Sequence, residues 1–327
     1  MKISPVILTQ SILLFSVVLT LSSCKNINDQ QQSTTATLVE TEEDLFFKQS
    51  LAQWSLNEPI FAGELDPMDF AEKAKELGFE GIEYVNQFYT PLYENAEDPQ
   101  AALQSVLDTL KENSKKYGVE NVLIMVDGEG DLATGNESER MQAVENHKKW
   151  VDAAEFLGCH SIRVNLFGSD KPEEWKENAT AGLSELSKYA APKNINVIVE
   201  NHGGLSSNAQ LLTEVIREVN MENCGTLPDF GNFCIRREAG SCVEEYPKYR
   251  GVNELMEYAK AVSAKSYDFN EAGEETTLDY SKLLQIVYEA GYTGFIGVEY
   301  EGNRLPPEEG ILATKELLVR VGRKLTN

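Results

Sequence analysis

The 327-residue sequence is poor in basic residues, with 29 lysines and arginines against 53 aspartates and glutamates and a formal net charge of −24. Binding to a polyanion requires clustered lysine and arginine, so this balance argues against nucleic acid as a partner. The same charge opposes broad adsorption to an anionic membrane surface. Any attachment to a membrane must therefore come from another feature of the chain.

The N-terminus carries a short positive start at Lys2 and an almost continuous apolar run from Ile7 to Leu21. This arrangement is typical of a secretory signal, because the run is short for a membrane-spanning helix. Leu21-Ser22-Ser23-Cys24 follows and resembles a bacterial lipobox, in which Cys24 is lipidated and becomes the first mature residue. The sequence thus predicts an exported protein that is lipid-anchored to a bacterial membrane, periplasmic or outer-membrane associated.

Three segments follow from this interpretation: a signal peptide over 1–23, a flexible tether over 24–44 and one domain over 45–327. The tether is polar and has no apolar period. No second Pro/Gly/Ser-rich linker interrupts the domain, whose length suits one large α/β fold. None of its cysteines forms a CxxC pair, which argues against a structural zinc cluster. Cys234 and Cys242 are close enough to bridge a loop, and buried free thiols are an equal interpretation.

Short apolar runs alternate with longer amphipathic stretches along the domain, the pattern of parallel βα units. Eight runs are predicted as strands: 51–56, 81–85, 122–126, 161–166, 196–201, 226–230, 261–267 and 295–300. Eight stretches are predicted as helices: 68–77, 101–117, 139–157, 173–189, 208–219, 252–259, 280–290 and 308–325.

A weak internal repeat joins helix to strand at three places, which begin at Leu77-Gly78, Leu157-Gly158 and Ala290-Gly291. In each copy, a glycine suits the left-handed position after a helix, and a strand begins shortly afterwards. Eight such units favour a single parallel eight-stranded (β/α)₈ barrel, a TIM barrel, over an open doubly wound sheet.

The carboxyl ends of the predicted strands, where such barrels place their working residues, are rich in polar residues. Strand alternation turns Glu200 of the fifth strand and Glu299 of the eighth toward the barrel interior, with Asp229 between them. Three converging carboxylates repel one another unless a cation lies among them, and oxygen ligands suit Mg²⁺ or Mn²⁺. Further polar side chains at the strand ends are Glu83, Arg163, His202 and Lys265.

The segments around these carboxylates resemble the xylose isomerase-like barrel superfamily of sugar isomerases and epimerases. They are Val197-Ile198-Val199-Glu200-Asn201-His202-Gly203-Gly204, Leu227-Pro228-Asp229-Phe230-Gly231-Asn232-Phe233 and Gly297-Val298-Glu299-Tyr300-Glu301-Gly302. The resemblance, which extends from about residue 50 onward, implies a divalent metal ion, Mn²⁺, Mg²⁺ or Zn²⁺. Its implied ligands are Glu200, Asp229 and Glu299 with a histidine of the seventh strand. Ser263 stands where that histidine is expected, and His202 is a candidate replacement.

The resemblance also implies a function, the isomerisation or epimerisation of a sugar or keto-sugar by proton abstraction next to its carbonyl group. Glu200 and Glu299 are then the catalytic acid/base pair, and the metal stabilises the charge that develops. The residues expected to bind the small-molecule carbohydrate are Glu83, Arg163, His202 and Lys265.

Two other functions fit the same sequence. A metal-dependent lyase would use the same proton abstraction to eliminate the leaving group of a keto-glycoside. A non-catalytic sugar-binding lipoprotein is compatible with Ser263 in place of the expected histidine, and it predicts tight sugar binding without metal or turnover. An apurinic endonuclease is disfavoured, because it requires a multi-zinc cluster with several histidines and the chain has three.

Overall fold

The computed structural model describes residues 45–326. The predicted signal peptide, Cys24 and the predicted tether lie outside these residues, and their assignments stay predictions. Among the described residues, no helix is both long enough and apolar enough to cross a membrane.

The described residues form an eight-stranded parallel sheet and a two-stranded antiparallel hairpin. The strands are β1 (Lys48–Ala52), β2 (Gly81–Val85), β3 (Glu120–Val126), β4 (Ser161–Val164), β5 (Asn196–Glu200), β6 (Cys224–Leu227), β7 (Cys234–Glu238), β8 (Ser241–Glu245), β9 (Val262–Ser266) and β10 (Phe295–Tyr300). β7 and β8 form the hairpin, and the order of the large sheet is β6-β5-β4-β3-β2-β1-β10-β9. β9 and β10 therefore correspond to the seventh and eighth predicted strands.

The two ends of the large sheet, β6 and β9, meet at the segment that follows β6. A parallel bridge joins Asp229 to Ser263. The backbone amide of Ser263 donates to the carbonyl of Pro228 at 3.0 Å, and its carbonyl accepts from the amide of Phe230 at 3.1 Å. These bonds close the sheet on itself, so the predicted (β/α)₈ barrel is confirmed over the open sheet.

Helices alternate with the barrel strands along the chain. They are α1 (Asn57–Phe61), α2 (Phe70–Glu76), α3 (Thr90–Tyr93), α4 (Pro99–Tyr117), α5 (Glu137–Leu157), α6 (Pro172–Ala190), α7 (Ala209–Val219), α8 (Lys248–Leu255), α9 (Tyr280–Glu289) and α10 (Pro307–Thr326). The short helices α1 and α3 have no counterpart in the prediction. The glycines at the three repeated joints have positive φ angles, 76° at Gly78, 84° at Gly158 and 70° at Gly291, as the left-handed position requires.

Alternation along the strands divides the apolar residues between two cores. Residues that point toward the helices, such as Val199 and Val298, belong to the large outer core. The barrel interior holds a smaller cluster: Ala52, Val85, Phe88, Val122, Leu123, Met125, Ile198, Leu227, Ala261 and Phe295. Ile198 and Phe295 therefore point inward, and Glu200 and Glu299, which share their strand faces, do so as predicted.

The first strand differs from the predicted range of 51–56, because β1 ends at Ala52 and a 3₁₀ turn covers Gln53–Leu56. The Ser55 hydroxyl donates to the carbonyl of Val298 at 3.2 Å and accepts from the amide of Tyr300 at 3.0 Å. A side chain thus takes over the contact with β10, and the backbone is free to leave the sheet in the turn.

The hairpin of β7 and β8, which lies between β6 and α8 in the chain, has no counterpart in the predicted elements. A disulfide between Cys234 and Cys242 joins its two strands, so the interpretation of these two residues as free thiols is wrong. Cys159 and Cys224 are buried free thiols. The hairpin is therefore a cross-linked extension that directly follows the loop carrying Asp229.

Gly182 of α6 packs so closely that a methyl group on its Cα would lie 2.1 Å from the carbonyl oxygen of Leu132. We expect Gly182→Ala to destabilise the fold by about 1–3 kcal/mol, because the helix and this buried backbone must separate. Gly135→Ala is the control, since its methyl group would meet only the ends of two flexible side chains, Glu174 at 3.4 Å and Asn178 at 3.7 Å. Urea denaturation measures both variants, and a Gly182→Ala protein as stable as the parent would contradict the packing.

Candidate active site

Three buried carboxylates converge at the rim of the barrel, and we call them the carboxylate triad. Glu200 is the last residue of β5, Asp229 follows β6 by two residues, and Glu299 lies in β10. When one oxygen is taken from each carboxylate, the three oxygens lie within 4.8 Å of one another. Residues far apart in sequence meet here because the parallel strands all end at the same rim.

The loop that carries Asp229 is fixed by Asn201, the residue after Glu200. The side-chain amide of Asn201 donates to the carbonyls of Asp229 and Asn232, both at 3.0 Å, and its oxygen accepts from the amide of Asp229 at 2.7 Å. The backbone amides of Gly231 and Asn232 donate to Oδ1 of Asp229 at 2.8 and 2.7 Å. The loop thereby satisfies Oδ1 and leaves Oδ2 for contacts inside the barrel.

Lys265 of β9 places a buried ammonium group among these carboxylates. Its Nζ lies 2.9 Å from Oε1 of Glu299, 3.1 Å from Oε1 of Glu301 and 3.8 Å from Oδ2 of Asp229, and the side chain is only 1% exposed. Ser263, on the same face of β9, has its hydroxyl 2.7 Å from Oδ2 of Asp229 and 2.9 Å from Oε2 of Glu299. Burying an ammonium group is costly unless it is paired, and these carboxylates provide the pairing.

Arg163 of β4 holds the opposite side of the triad. Its Nε lies 3.0 Å from Oε2 of Glu200, and its Nη1 lies 3.0 Å from Oδ1 of Asp127. Asn232 donates from Nδ2 to Oε1 of Glu200 at 3.1 Å, and Asn165 donates from Nδ2 to Oδ1 of Asp127 at 2.6 Å. Both oxygens of Glu200 are thus held by the chain, one by a cation and one by an amide.

The three carboxylates differ in how readily they ionise. Burial raises the pKa of Glu200 to about 7, although the charge of Arg163 opposes the effect. Burial likewise raises the pKa of Asp229 to about 7, against the charge of Lys265. Burial would also raise the pKa of Glu299, but the ion pair with Lys265 and the hydrogen bonds from Lys265 and Ser263 outweigh it, so this pKa is lowered. The triad thus combines one firmly ionised carboxylate with two that titrate near neutral pH.

Glu83 of β2, a predicted substrate contact, is buried inside the barrel beside β1 and β10. Ser50 donates its hydroxyl to Oε1 at 2.6 Å, whereas Oε2 is buried without a hydrogen-bond partner among the described residues. Room for this carboxyl group exists because Gly297 has no side chain, and a Cβ there would lie 2.4 Å from a Glu83 oxygen. Burial raises the pKa of Glu83 to about 8, so the group is mainly a neutral acid at pH 7.

His202, the other predicted substrate contact and candidate ligand, is exposed at the mouth of the site. Its backbone amide donates to the hydroxyl of Ser206 at 3.1 Å. Partial burial of the ring, and then the charges of Arg163 and Lys265, lower its pKa. Among the described residues, the group of converging ligand atoms contains the triad alone, so the structure does not bring the imidazole of His202 together with it.

Five residues belong to the site without a role in the sequence prediction: Asp127, Asn165, Asn201, Asn232 and Glu301. Asp127 directly follows β3 and Asn165 directly follows β4, so their positions as polar residues at strand ends are the signal that could identify them. The other three lie within the segments that carry the family resemblance. Their partners become apparent only when the strands are brought together in space.

The carboxylate triad could hold a divalent metal ion. Its donor atoms are oxygens, which hard cations such as Mg²⁺ and Mn²⁺ prefer. Its charge also fits, because Arg163 is shared by two carboxylates and Lys265 by three, which leaves an excess of negative charge. Burial is the main cause of the raised pKa values of Glu200 and Asp229, and the neighbouring carboxylates add to it. A bound cation would lower both pKa values.

Comparison with known proteins connects this barrel to a described family. The sequence pattern of the xylose isomerase-like TIM barrel matches residues 71–320, which include every member of the carboxylate triad. No curated protein matches the sequence at a significant level.

Several solved structures share the fold. The 3-keto-D-glucoside 4-epimerase from E. coli is 15% identical, with 77% of this chain and 94% of that chain covered and a TM-score of 0.60. A D-tagatose 3-epimerase-like protein is 19% identical, with 84% and 97% covered and a TM-score of 0.62. A xylose isomerase-like TIM barrel protein from Mycobacterium smegmatis, in complex with magnesium, is 16% identical, with 86% and 98% covered and a TM-score of 0.61. At these identities, the likeness establishes the fold.

The buried carboxyl group of Glu83 makes a prediction about stability and pH. Its pKa in the folded protein, about 8, exceeds its ordinary value of 4.5, so the folded state holds a proton that the unfolded state has lost between these values. The stabilisation is complete below pH 4.5 and is lost as the pH rises through 8. Glu83→Gln keeps the acceptor for Ser50 and removes the titration. Its stability relative to the parent protein should therefore rise from pH 5 to pH 8.

Urea denaturation at several pH values measures this difference, since contributions common to both proteins cancel. Glu97→Gln, a change at an exposed carboxylate, is the control and should follow the parent at every pH. A Glu83→Gln protein whose stability runs parallel to that of the parent would show that the buried carboxyl group is not neutral.

Proposed function

The chain belongs to the xylose isomerase-like TIM barrel family, and on this premise we propose that it is a sugar isomerase or epimerase. It would move a proton at a carbon next to the carbonyl group of a sugar or keto-sugar. The observation that supports this most strongly is the pair of buried glutamates, Glu200 and Glu299, on either side of Asp229. Such barrels host many reactions, so the site and not the fold must support the assignment.

Glu299 is assigned as the base that accepts the proton. Lys265 and Ser263, each 2.9 Å from a carboxylate oxygen, keep this group ionised and oriented. Glu200 is assigned as the acid that returns a proton, because it is the second buried glutamate of the triad and lies on a different strand from Glu299. β6 and β9 separate β5 from β10 around the closed barrel, so the two glutamates would approach a bound sugar from different directions.

Polar groups around this pair would bind the oxygens of the substrate. Asn165 is buried, and its Oδ1 has no hydrogen-bond partner within residues 45–326, while its Nδ2 donates to Asp127. An unsatisfied buried acceptor is costly, and a sugar hydroxyl would satisfy it. The residues to which we assign substrate binding are Glu83, Arg163, His202, Lys265 and Asn165.

Glu200, Asp229 and Glu299 are also the residues that would hold a divalent metal ion, which, when bound, polarises a carbonyl oxygen and stabilises the negative charge that develops on it. Asn201 and the amides of Gly231 and Asn232 fix one of these ligands before any ion arrives. The donor set is therefore preorganised by the chain itself.

The predicted export narrows the substrate class. Phosphorylated sugars are scarce outside the cytoplasm, so a free keto-sugar or a glycoside fragment is the better candidate. The likeness to a 3-keto-D-glucoside 4-epimerase supports testing keto-glycosides first. The same proton abstraction would lead to elimination where a leaving group is attached to the next carbon, so product analysis separates an epimerase from a lyase.

We expect Glu200→Gln and Glu299→Gln each to lower the rate of proton exchange by roughly 10²–10⁴-fold, because each removes one member of the acid/base pair. The measurement is deuterium incorporation from heavy water into a panel of keto-sugars and 3-keto-glucosides, followed by NMR. Circular dichroism and thermal unfolding check that the fold is intact.

Glu309→Gln, a change at an exposed carboxylate at the start of α10, is the matched control and should exchange protons at the parent rate. If either site variant retained more than about a tenth of the parent rate, the assignment of that glutamate would be lost. Sugar binding by the parent protein without any exchange would instead favour the non-catalytic binding function.

We also propose that the protein is exported and anchored to a bacterial membrane by a lipid on Cys24. The lipobox-like segment that ends at this residue supports the proposal. So does the disulfide between Cys234 and Cys242, since such bonds persist mainly in oxidising compartments.

Lipidation can be tested with Cys24→Ala, which removes the thiol that would be acylated. The parent protein should incorporate radiolabelled palmitate in cells, and the variant should not. Cys159→Ala, at a buried thiol, is the control and should be labelled like the parent. A parent protein without label, or a Cys24→Ala protein that keeps it, would contradict the anchor.

A further inference from the structure

The hydroxyl of Ser263 occupies an unusual position between two carboxylates. It lies 2.7 Å from Oδ2 of Asp229 and 2.9 Å from Oε2 of Glu299, and all three residues are buried. A serine hydroxyl has one hydrogen to donate, whereas its oxygen has two lone pairs. It can therefore donate to only one of these carboxylates, and the second close contact requires either a proton on that carboxyl group or a nearby cation.

The ammonium group of Lys265 does not neutralise the negative charge of the whole triad. It is 2.9 Å from Glu299 but 3.8 Å from Asp229, and its other close partner is Glu301, outside the triad. Glu200 is paired with Arg163 on the far side, and that guanidinium also serves Asp127. The space bounded by Asp229, Glu299 and Ser263 is thus rich in oxygen atoms and short of positive charge.

We propose that Ser263 is the fourth ligand of the triad, and that its oxygen completes an all-oxygen set of the kind that suits Mg²⁺ or Mn²⁺. A serine hydroxyl is an established type of ligand for Mg²⁺ in proteins. This inference rests on the proposed function in placing a divalent ion at the triad, and it adds the fourth ligand and the class of ion.

The class of ion follows from the donor atoms. Zn²⁺ in proteins is bound mostly by nitrogen and sulfur, whereas Mg²⁺ and Mn²⁺ suit carboxylate, hydroxyl and water oxygens. Among the described residues, the converging ligand atoms include no imidazole or thiolate. His202 is exposed and is not among the converging ligand atoms of the triad, so its imidazole does not add a nitrogen ligand.

The test is metal binding by the purified full-length chain and three variants. Free Mn²⁺ is measured by electron paramagnetic resonance, and Mg²⁺ and Zn²⁺ are added as competitors. Ser263→Ala removes the proposed ligand, and Ser263→His replaces its oxygen with a nitrogen. Ser266→Ala is the matched control, because this serine of the same strand points away from the triad and contacts Thr314 at 2.6 Å. Thermal unfolding of each variant confirms that it is folded.

The parent protein and Ser266→Ala should bind Mn²⁺, with Mg²⁺ as an effective competitor. Ser263→Ala should bind Mn²⁺ about tenfold more weakly, and Ser263→His should raise the affinity for Zn²⁺ relative to Mn²⁺ by about tenfold or more. The inference is overturned if the parent binds neither Mn²⁺ nor Mg²⁺. It is also overturned if Ser263→Ala binds Mn²⁺ like the parent, or if Ser263→His leaves the ratio unchanged.

Deuterium exchange into keto-sugars, measured on the same preparations, separates this inference from the proposed function. Exchange by a protein that binds no Mn²⁺ or Mg²⁺ would overturn the role of Ser263 and leave the glutamate pair in place. Binding that follows the expected pattern, without exchange into any sugar of the panel, would count against the isomerase and leave the metal site standing.

Discussion

The site depends on one physical constraint, a cluster of buried carboxylates that the chain only partly neutralises. Lys265 is shared by Asp229, Glu299 and Glu301, and Arg163 is shared by Glu200 and Asp127. In a low dielectric, each uncompensated charge is expensive, so the cluster responds by holding protons or by accepting a cation. Both responses suit chemistry at a carbon next to a carbonyl, which requires a proton acceptor, a proton donor and stabilisation of negative charge.

The barrel itself creates this constraint, because the residues that close the sheet also line the site. Asp229 and Ser263 form the bridge between β6 and β9, and their side chains contact each other at 2.7 Å. Asn201 then ties the loop after β6 to the end of β5. The contacts that close the barrel therefore also position the carboxylate of Asp229 in the site.

The sequence was sufficient for the fold and for the members of the triad. Eight apolar runs at βα spacing predict the barrel, and alternation correctly turns Glu200 and Glu299 inward. The sequence could not predict which side chains contact each site residue, because these contacts depend on which strands become neighbours in the barrel. No local sequence pattern predicts the hydrogen bond between Ser50 and Glu83, the hydrogen bonds between Asn201 and Asp229, or the hairpin after β6. Ser263 illustrates the difference: the family resemblance implies a histidine at this position, and the structure shows the serine hydroxyl between the carboxylates of Asp229 and Glu299.

Carbon NMR of the side-chain carboxyl groups tests most directly whether the triad is short of positive charge. The protein would be labelled at the carboxyl carbons of aspartate and glutamate, with Glu200→Gln and Asp229→Asn to assign the two signals. We predict that both groups titrate near pH 7 in metal-free protein and that Mg²⁺ lowers both pKa values. If both titrated near their ordinary values, about 4, with or without Mg²⁺, the cluster would already be neutralised and the account would be contradicted.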